Sequence, residues 1–441
     1  MEKKILESEK TEKEKIREIM NKSLKDSLIF SDEKQIKKPS FSLSLKIKNA
    51  SNIIKFNYFK RYFKSIYPEN TKVKIYNKEY NLRKENEKKD FEIDFQNIIY
   101  CSYRKNYPNQ KNYKNNIEYN TDCGWGCMIR SGQMIFAKAI YEILIYEKNS
   151  NESSLYNSIS LFMEYPFNFK DPQPNIFSQY KLKIQDVISK DNTISNKNIN
   201  QFFPPFSIKI ICSVGEILNK TCGEWFSDVN MPFLFKIINK YYNVFNNFKI
   251  IPFHTSVIIS KLIKQCFLES NNINLKEDDF FLFNDKKYIF KNYGLIFVSV
   301  RLGIDSIENL YFNSIRNLFN CKECIGFIGG KNNSASYFIG HDENNILFLD
   351  PHYAKNSVIP PLTNEKIQSY IEKTLFQLPF EKLKPAITIG FLFRNLFEFK
   401  DLYKYMIENC KKENTIFYIQ DNENQINSNL ENIDKNETDD F

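Results

Sequence analysis

Histidine is scarce in this chain of 441 residues, which has three: His254, His341 and His352. Chemistry that needs an imidazole base is therefore limited to three positions. The chain opens with charged residues and has no uninterrupted apolar run of about 20 residues, so we expect neither a secretory signal peptide nor a transmembrane segment. Nine cysteines in a long chain without a secretory signal are typical of reduced thiols. We therefore expect a cytoplasmic protein.

A basic stripe of the kind that binds nucleic acid is also missing. The formal net charge is +9, but the lysines are scattered among glutamates and aspartates. Such a balance permits binding to an acidic surface without indicating nucleic acid. The hydrophobic fraction of 42% is large enough for an extensive core.

Composition divides the chain into four segments. Residues 1–44 are highly charged with few apolar positions, which predicts a loose helix or disorder. Residues 45–72 interleave basic and aromatic side chains, so they form either a membrane-surface element or a helix packed on the protein body. Residues 73–405 are predicted to form a compact domain with insertions. Residues 406–441 are acidic and rich in asparagine, which predicts a disordered tail.

Cys127 stands where a glycine-rich turn meets a predicted helix. The helix is indicated over 127–146 by the apolar or small residues Gly132, Ile135, Phe136, Ala139, Ile140, Ile143 and Leu144. Gly124 and Gly126 provide a tight entry turn, and Trp125 would shield the thiol from water. The partial positive charge of a helix N-terminus favours a thiolate. A single cysteine in a helix is nevertheless more often a small core residue than a nucleophile.

His352 follows Asp350 at a spacing of two residues. In extended backbone these two side chains point to the same side, and Pro351 favours that geometry. A carboxylate held beside an imidazole can fix its tautomer and stabilise its charged form. Taken alone, the segment is also compatible with an ordinary surface turn. Before it lie three predicted strands, 325–329, 336–340 and 346–349, the last two joined by a hairpin loop at 342–345.

Two cysteine pairs offer a different chemistry. Cys123 and Cys127 are four residues apart, and Cys321 and Cys324 are three apart. Together they could form a four-thiolate zinc site, and the second pair alone could be redox-active. Neither pair is repeated at a zinc-ribbon separation. We therefore predict no metal and no cofactor, with zinc or redox chemistry as the open alternative.

Several sequence blocks in order resemble one known family, the autophagy-related cysteine endopeptidases (autophagins, or autophagy-related protein 4). The blocks are YRKNYP at 103–108, DCGWGCMIRSGQM at 122–134, GGKNNSASYFIG at 329–340 and LDPH at 349–352, with a weaker GEWF at 223–226. The resemblance spans about residues 73–405.

The resemblance implies an α+β, papain-like cysteine protease fold with a small family-specific subdomain. It assigns Cys127 as the nucleophile, His352 as the general base and acid, and Asp350 as the residue that orients His352. Tyr103 matches the side chain that helps to form the oxyanion hole, with the backbone N–H of Cys127 as the second donor.

The resemblance also implies a substrate, the ubiquitin-like autophagy-related protein 8. The family cleaves its precursor after a C-terminal glycine and releases the same protein from phosphatidylethanolamine at membrane surfaces. A narrow slot would admit the glycine tail, with walls formed by Trp225, Gly329, Gly330, Lys331 and Asn332. We expect a monomer that binds no nucleic acid.

One position departs from the family pattern. Asn332 stands where the family commonly has proline, which changes the expected stiffness of the slot loop. This departure leaves a second interpretation open. In that alternative the chain is a weak or inactive protease-fold module that holds the same ubiquitin-like partner without cutting it.

Overall fold

The computed structural model describes residues 2–26, 28–30, 72–147, 149–169, 175–189, 199–269, 288–331, 334–371 and 374–420. Its α-helices are α1 (Glu2–Asp26), α2 (Glu85–Gln96), α3 (Cys127–Tyr146), α4 (Asn151–Ser160), α5 (Ser178–Ser189), α6 (Ile208–Val214), α7 (Asn230–Tyr242), α8 (Ile259–Cys266), α9 (Phe312–Leu318), α10 (Asn364–Ile367) and α11 (Leu396–Cys410). The helix predicted over 127–146 is confirmed.

The strands are β1 (Leu28–Phe30), β2 (Lys72–Ile75), β3 (Lys78–Asn81), β4 (Arg104–Lys111), β5 (Glu118–Thr121), β6 (Phe167–Asn168), β7 (Ile199–Phe202), β8 (Phe248–His254), β9 (Ser256–Ile258), β10 (Phe267–Glu269), β11 (Tyr288–Phe290), β12 (Tyr293–Arg301), β13 (Cys324–Lys331), β14 (Ser334–His341), β15 (Asn345–Leu349), β16 (Lys355–Asn356), β17 (Phe376–Pro379), β18 (Leu383–Phe393) and β19 (Tyr418–Gln420). Helices and a central mixed sheet together confirm the predicted α+β class.

The central sheet has the strand order β17-β15-β14-β13-β18-β12-β8, and β2 and β3 join it beside β14. Neighbouring strands are antiparallel except for β12 and β8, which are parallel. The three strands predicted between 325 and 349 are confirmed as β13, β14 and β15. Their hairpin loop is stabilised by Asp342, whose Oδ1 accepts the N–H groups of Asn344 and Asn345 at 2.8 and 2.7 Å.

Apolar cores lie on both faces of this sheet, because neighbouring strand residues point to opposite faces. Ile328 of β13 belongs to the core that contains the buried residues of α3. Phe327, its neighbour, belongs to the second core, which contains residues of α8, α9 and α11. Helix α3 is thus held against one face of the sheet, which fixes the position of its first residue, Cys127.

The N-terminal extension, predicted to be a loose helix or disordered, is helical over most of its described residues. Residues 2–26 form α1, and its last turns bury Met20 and Leu24 against the body. The backbone of Met20 accepts a hydrogen bond from the hydroxyl of Tyr242 at 3.4 Å, and Lys22 pairs with Glu216 at 3.1 Å. Ile19, Met20 and Leu24, together with these polar contacts, therefore dock a highly charged helix. No described helix has the length and apolar character needed to cross a membrane.

The predicted disorder of the tail is wrong for its first part. Residues 406–410 complete α11, and β19 pairs in parallel with β9. Met406 and Phe417 are buried, so apolar contacts that the asparagine-rich composition conceals hold this stretch on the body. Residues 421–441 lie outside the described part of the chain. So does the predicted basic, aromatic segment, except for Lys72, which begins β2.

Candidate active site

The turn before α3 is built around Asp122. Its carbonyl oxygen accepts the N–H groups of Trp125 and Gly126 at 3.2 and 2.9 Å, which closes the chain into a tight loop. Gly124 within this loop has φ of 88°, a left-handed conformation that favours glycine. The predicted glycine-rich entry turn is therefore present, and it delivers Cys127 at the first position of the helix.

A buried ionic network supports this turn from below. Asp122 accepts the backbone N–H of Arg104 at 2.6 Å and the Nε–H of Arg130 at 2.7 Å, and Arg130 also bonds Glu164. None of these four side chains has appreciable exposure. Within it the Arg130 guanidinium faces both carboxylates, while Arg104 contributes its backbone N–H and directs its own guanidinium to Asn356 and Ser369. Because Arg104 follows Tyr103 in the chain, the network links the position of Tyr103 to the turn before the thiol.

Sequence reasoning missed this network, although one signal was present. Arg130 lies among apolar residues one turn into a helix that is buried along most of its length. A charged residue in such a place needs a buried partner. One of its two partners, Asp122, is eight residues earlier, but the other, Glu164, is 34 residues away, and no local spacing points to it.

The structure brings Cys127, His352 and Asp350 together. The thiol of Cys127 hydrogen-bonds the His352 imidazole, and the Nδ1 of that ring pairs with Oδ1 of Asp350. The backbone N–H of His352 also donates to Asp350 Oδ1 at 3.2 Å. Tyr100 donates its hydroxyl to the carbonyl oxygen of Asp350 at 2.6 Å, which anchors the segment from behind. The three side chains thus form one hydrogen-bonded chain at the start of α3.

Electrostatics at this site favour a thiolate beside an imidazolium. Burial raises the pKa of the Cys127 thiol, but hydrogen bonds from His352, the backbone of Ala335 and Tyr103, together with the charge of His352, outweigh it and lower that pKa below its ordinary value. Burial lowers the pKa of His352, but the charge and hydrogen bond of Asp350 and the contact with Cys127 raise it to about 9. Both shifts favour the proton on the imidazole and the negative charge on sulfur.

Tyr103 lies beside both partners of this pair. Its hydroxyl lies near the Cys127 sulfur, and its ring meets the His352 ring edge-on with centroids 5.3 Å apart. Its backbone N–H donates to the carbonyl oxygen of Pro351 at 2.8 Å. Burial, and then the negative charge of Cys127, raise the pKa of Tyr103 well above its ordinary value, so the phenol stays a neutral donor. The effect of the Ala335 backbone on the pKa of Cys127 was not predicted from the sequence.

The expected walls of the slot lie on two neighbouring elements. Trp225 is 60% exposed, and its indole N–H donates to the carbonyl oxygen of Gly124 at 2.8 Å, so it stands on the turn that precedes the thiol. Gly330 pairs across the β13–β14 ladder with Ala335, whose backbone contacts Cys127. Both walls are therefore tied to residues that surround the sulfur.

The remaining residues of the expected slot surround Gly330 in the chain. Gly329 is packed closely, since a Cβ added there would lie 2.9 Å from Cγ2 of Ile387. Lys331 ends β13 and pairs with Ser334. Asn332 lies outside the described residues, so its predicted effect on the loop stays a prediction.

Two histidines lie elsewhere. His254 ends β8, and His341 ends β14 with its Nδ1 2.9 Å from the carbonyl oxygen of Asp342. All nine cysteines fall within the described residues and are thiols rather than disulfides. Within the described ranges, no group of three or more His, Cys, Asp or Glu side chains is arranged to hold a metal ion.

Comparison with known proteins identifies the family. Residues 88–405 match the model of the peptidase C54 catalytic domain, which is most of the chain. The chain belongs to the peptidase C54 family. It is therefore a cysteine-type peptidase, and the resemblance to autophagy-related cysteine proteases is confirmed.

Individual relatives agree with this family. Cysteine protease ATG4D of Xenopus laevis is 24% identical over 83% of this chain and 77% of its own length. Cysteine protease ATG4C of Xenopus tropicalis is 25% identical over 74% of this chain and 73% of its own. Probable cysteine protease ATG4 of Candida glabrata is 27% identical over 64% of this chain and 48% of its own.

Proposed function

We propose that this C54 peptidase cleaves the ubiquitin-like autophagy-related protein 8 after its C-terminal glycine. The same reaction would activate the precursor and release the protein from its phosphatidylethanolamine conjugate at membrane surfaces. The observation that carries the proposal is the hydrogen-bonded chain of Cys127, His352 and Asp350, with Trp225 on the turn beside the thiol. The similarity to proteins named ATG4 supports this choice of substrate.

The proposed chemistry uses the ion pair directly. The Cys127 thiolate attacks the glycine carbonyl carbon, and the His352 imidazolium protonates the leaving nitrogen, which belongs to the next residue or to ethanolamine. Tyr103 and the backbone N–H of Cys127 donate to the oxyanion. Neutral His352 then takes a proton from water, and the resulting hydroxide cleaves the thioester and regenerates the thiolate. Asp350 holds the imidazole in the required tautomer throughout.

Specificity for glycine would come from the slot. Trp225 on one side and the backbone of Gly329 and Gly330 on the other would leave room for a chain without side chains. Lys331 and Asn332 would continue the second wall. A methyl group on the substrate residue would collide with one wall, so the filter is steric.

The wider setting of the enzyme follows from the same proposal. The reaction needs cysteine, histidine and water, and no added cofactor. Nine cysteines in the thiol form suit a reducing compartment, so we place the enzyme in the cytoplasm. We propose that it acts as a monomer with no nucleic-acid partner.

The experiment is direct cleavage of a glycine-extended autophagy-related protein 8, with the product mass measured. We expect a product that ends at the glycine, and loss of that product for Cys127→Ser. Cys410→Ser, at a thiol in a different part of the fold, is the matched control and should cleave as the wild type does. Undiminished cleavage by Cys127→Ser would exclude Cys127 as the nucleophile. Absence of cleavage by the wild type would favour the binding-module alternative.

A further inference from the structure

Three buried polar residues form a chain that the proposed chemistry does not use. Thr388 of β18 donates its hydroxyl to Oδ2 of Asp228 at 2.9 Å. Ser299 of β12 lies 2.8 Å from the same Thr388 oxygen. Because Thr388 has a single hydroxyl proton and gives it to Asp228, the proton between Ser299 and Thr388 must come from Ser299. All three residues are at least nine-tenths buried.

Asp228 is an unusual residue to find at this place. Burial raises the pKa of its carboxyl group, and the hydrogen bond from Thr388, those from the backbone N–H groups of Asp228 and Val229, and the charge of His254 act against that rise. A carboxylate that only filled space there would be costly to bury. Hydrogen bonds from Thr388 and from the two backbone N–H groups offset part of that cost, and the one from Thr388 binds the carboxylate to β18.

The chain of hydrogen bonds joins the two walls of the expected slot. Asp228 lies three residues after Trp225, in the segment between Trp225 and α7. Thr388 pairs with Ile328 across the β13–β18 ladder, and the next pair in that ladder includes Gly329. Asp228 therefore attaches the segment of one wall to the strand that lies beside the other.

We propose that Asp228, acting through Thr388, is a positioning residue that sets the width of the glycine slot. The indole N–H of Trp225 is held by the carbonyl oxygen of Gly124. The segment that follows Trp225 is held by the hydrogen bond from Thr388 to Asp228. Loss of either member of the Asp228–Thr388 pair removes the hydrogen bond that ties the Trp225 segment to β18, beside Gly329. The inference rests on the proposed function for its effect on substrate selection, but the holding role itself can be measured without substrate.

Hydrogen exchange of the wild-type protein and of two variants measures the holding role. Thr388→Val keeps the side-chain shape and removes the donor, and Asp228→Asn keeps the size and removes the charge. We expect amides of residues 221–230 to exchange about tenfold faster in both variants, since a hydrogen bond to a charged group contributes that order of stability. Thr415→Val removes a 2.8 Å hydrogen bond to Phe417 in another part of the fold and should leave that segment unchanged. Unchanged exchange in Thr388→Val would overturn the proposal, and that variant decides the outcome if Asp228→Asn fails to fold.

Substrate selection is then measured with two precursors that differ in one residue, glycine or alanine at the cleavage point. We expect both variants to lose about tenfold in the glycine-to-alanine ratio of kcat/KM. The rate at which iodoacetamide alkylates Cys127 should match that of the wild type, because the ion pair is untouched. Faster exchange with an unchanged ratio would overturn the role in selection. If the wild type cuts neither precursor, the proposed function and the selection role fail together, and hydrogen exchange still decides the holding role.

Discussion

The side chain of Asp122 occupies the space into which a side chain on Gly126 would project. A Cβ atom added at Gly126 would lie 2.6 Å from Cβ and 2.7 Å from Oδ2 of Asp122. That carboxylate cannot move aside, because it accepts hydrogen bonds from Arg104 and Arg130. The residue before Cys127 must therefore be glycine for the ionic network and the turn to coexist.

Gly126→Ala should consequently damage both stability and the proposed activity. Overpacking costs about 1–3 kcal/mol, and a small displacement of the sulfur can lower kcat by about 100-fold. Urea denaturation and cleavage kinetics measure the two effects. Gly132→Ala on the same helix is the control, because the atoms it would meet belong to the flexible side chain of Met231. It should lose stability without a comparable loss of kcat, and a wild-type kcat for Gly126→Ala would contradict this account.

Tyr103→Phe tests the proposed oxyanion hole. Removing a donor that acts on the oxyanion should lower kcat by about 100- to 1000-fold, with a smaller effect on KM. Tyr107→Phe is a matched control at another buried phenol, which lies near Asp122 and Arg130 rather than beside the Cys127 sulfur. It should leave kcat close to the wild-type value. Equal kinetics for the two variants would remove Tyr103 from the oxyanion hole.

Glu164→Gln tests the buried ionic network. Glu164 accepts a charge-assisted hydrogen bond from the buried Arg130 guanidinium, and the neutral amide of the variant weakens that bond and leaves Arg130 with Asp122 as its ionised partner. We expect a loss of about 3 kcal/mol in the free energy of unfolding, measured by urea denaturation. Glu79→Gln makes the same substitution at an exposed pair with Lys72, 3.8 Å apart, and should cost less than about 1 kcal/mol. A similar cost at the two sites would show that burial does not determine the contribution of Glu164.

How far the sequence predicts this site depends on the distance along the chain between the partners. The start of α3 at Cys127 follows from local signals, two glycines and an apolar repeat. The alignment of Asp350 with His352 likewise follows from a spacing of two residues in extended backbone. That the thiol and the imidazole meet, 225 positions apart in numbering, came from the family resemblance and not from any local pattern.

Other features could not be predicted for the same physical reason. The contact of the Ala335 backbone with Cys127 depends on how α3 lies on the sheet. The docking of α1 depends on Met20 and Leu24 matching a surface formed by distant residues. Composition described both terminal segments as charged or polar. It missed the few apolar residues that hold them on the body, because packing depends on which positions are apolar and not on the average composition of a segment.

The pH dependence of the proposed reaction follows from Cys127 and His352. Thiolate forms as pH rises through the lowered pKa of Cys127, and His352 loses its proton as pH rises through about 9. We therefore expect a bell-shaped profile of kcat/KM with its alkaline limb near pH 9. Because the folded-state pKa of His352 is raised, its contribution to stability is also fully present below about pH 6.5 and is lost as pH rises through about 9.

Asp350→Asn should move the alkaline limb to lower pH. Burial lowers the pKa of His352, and the charge of Asp350 is the largest influence that raises it. Without that charge, the pKa of His352 should fall. The maximum of kcat should also fall by about 100- to 10,000-fold, because the imidazole is no longer held in one tautomer. Cleavage rates measured from about pH 5 to about pH 10 test both effects. Asp401→Asn, on α11, is the control and should follow the wild-type profile. An alkaline limb of Asp350→Asn that coincides with the wild type would mean that Asp350 does not hold the proton on His352.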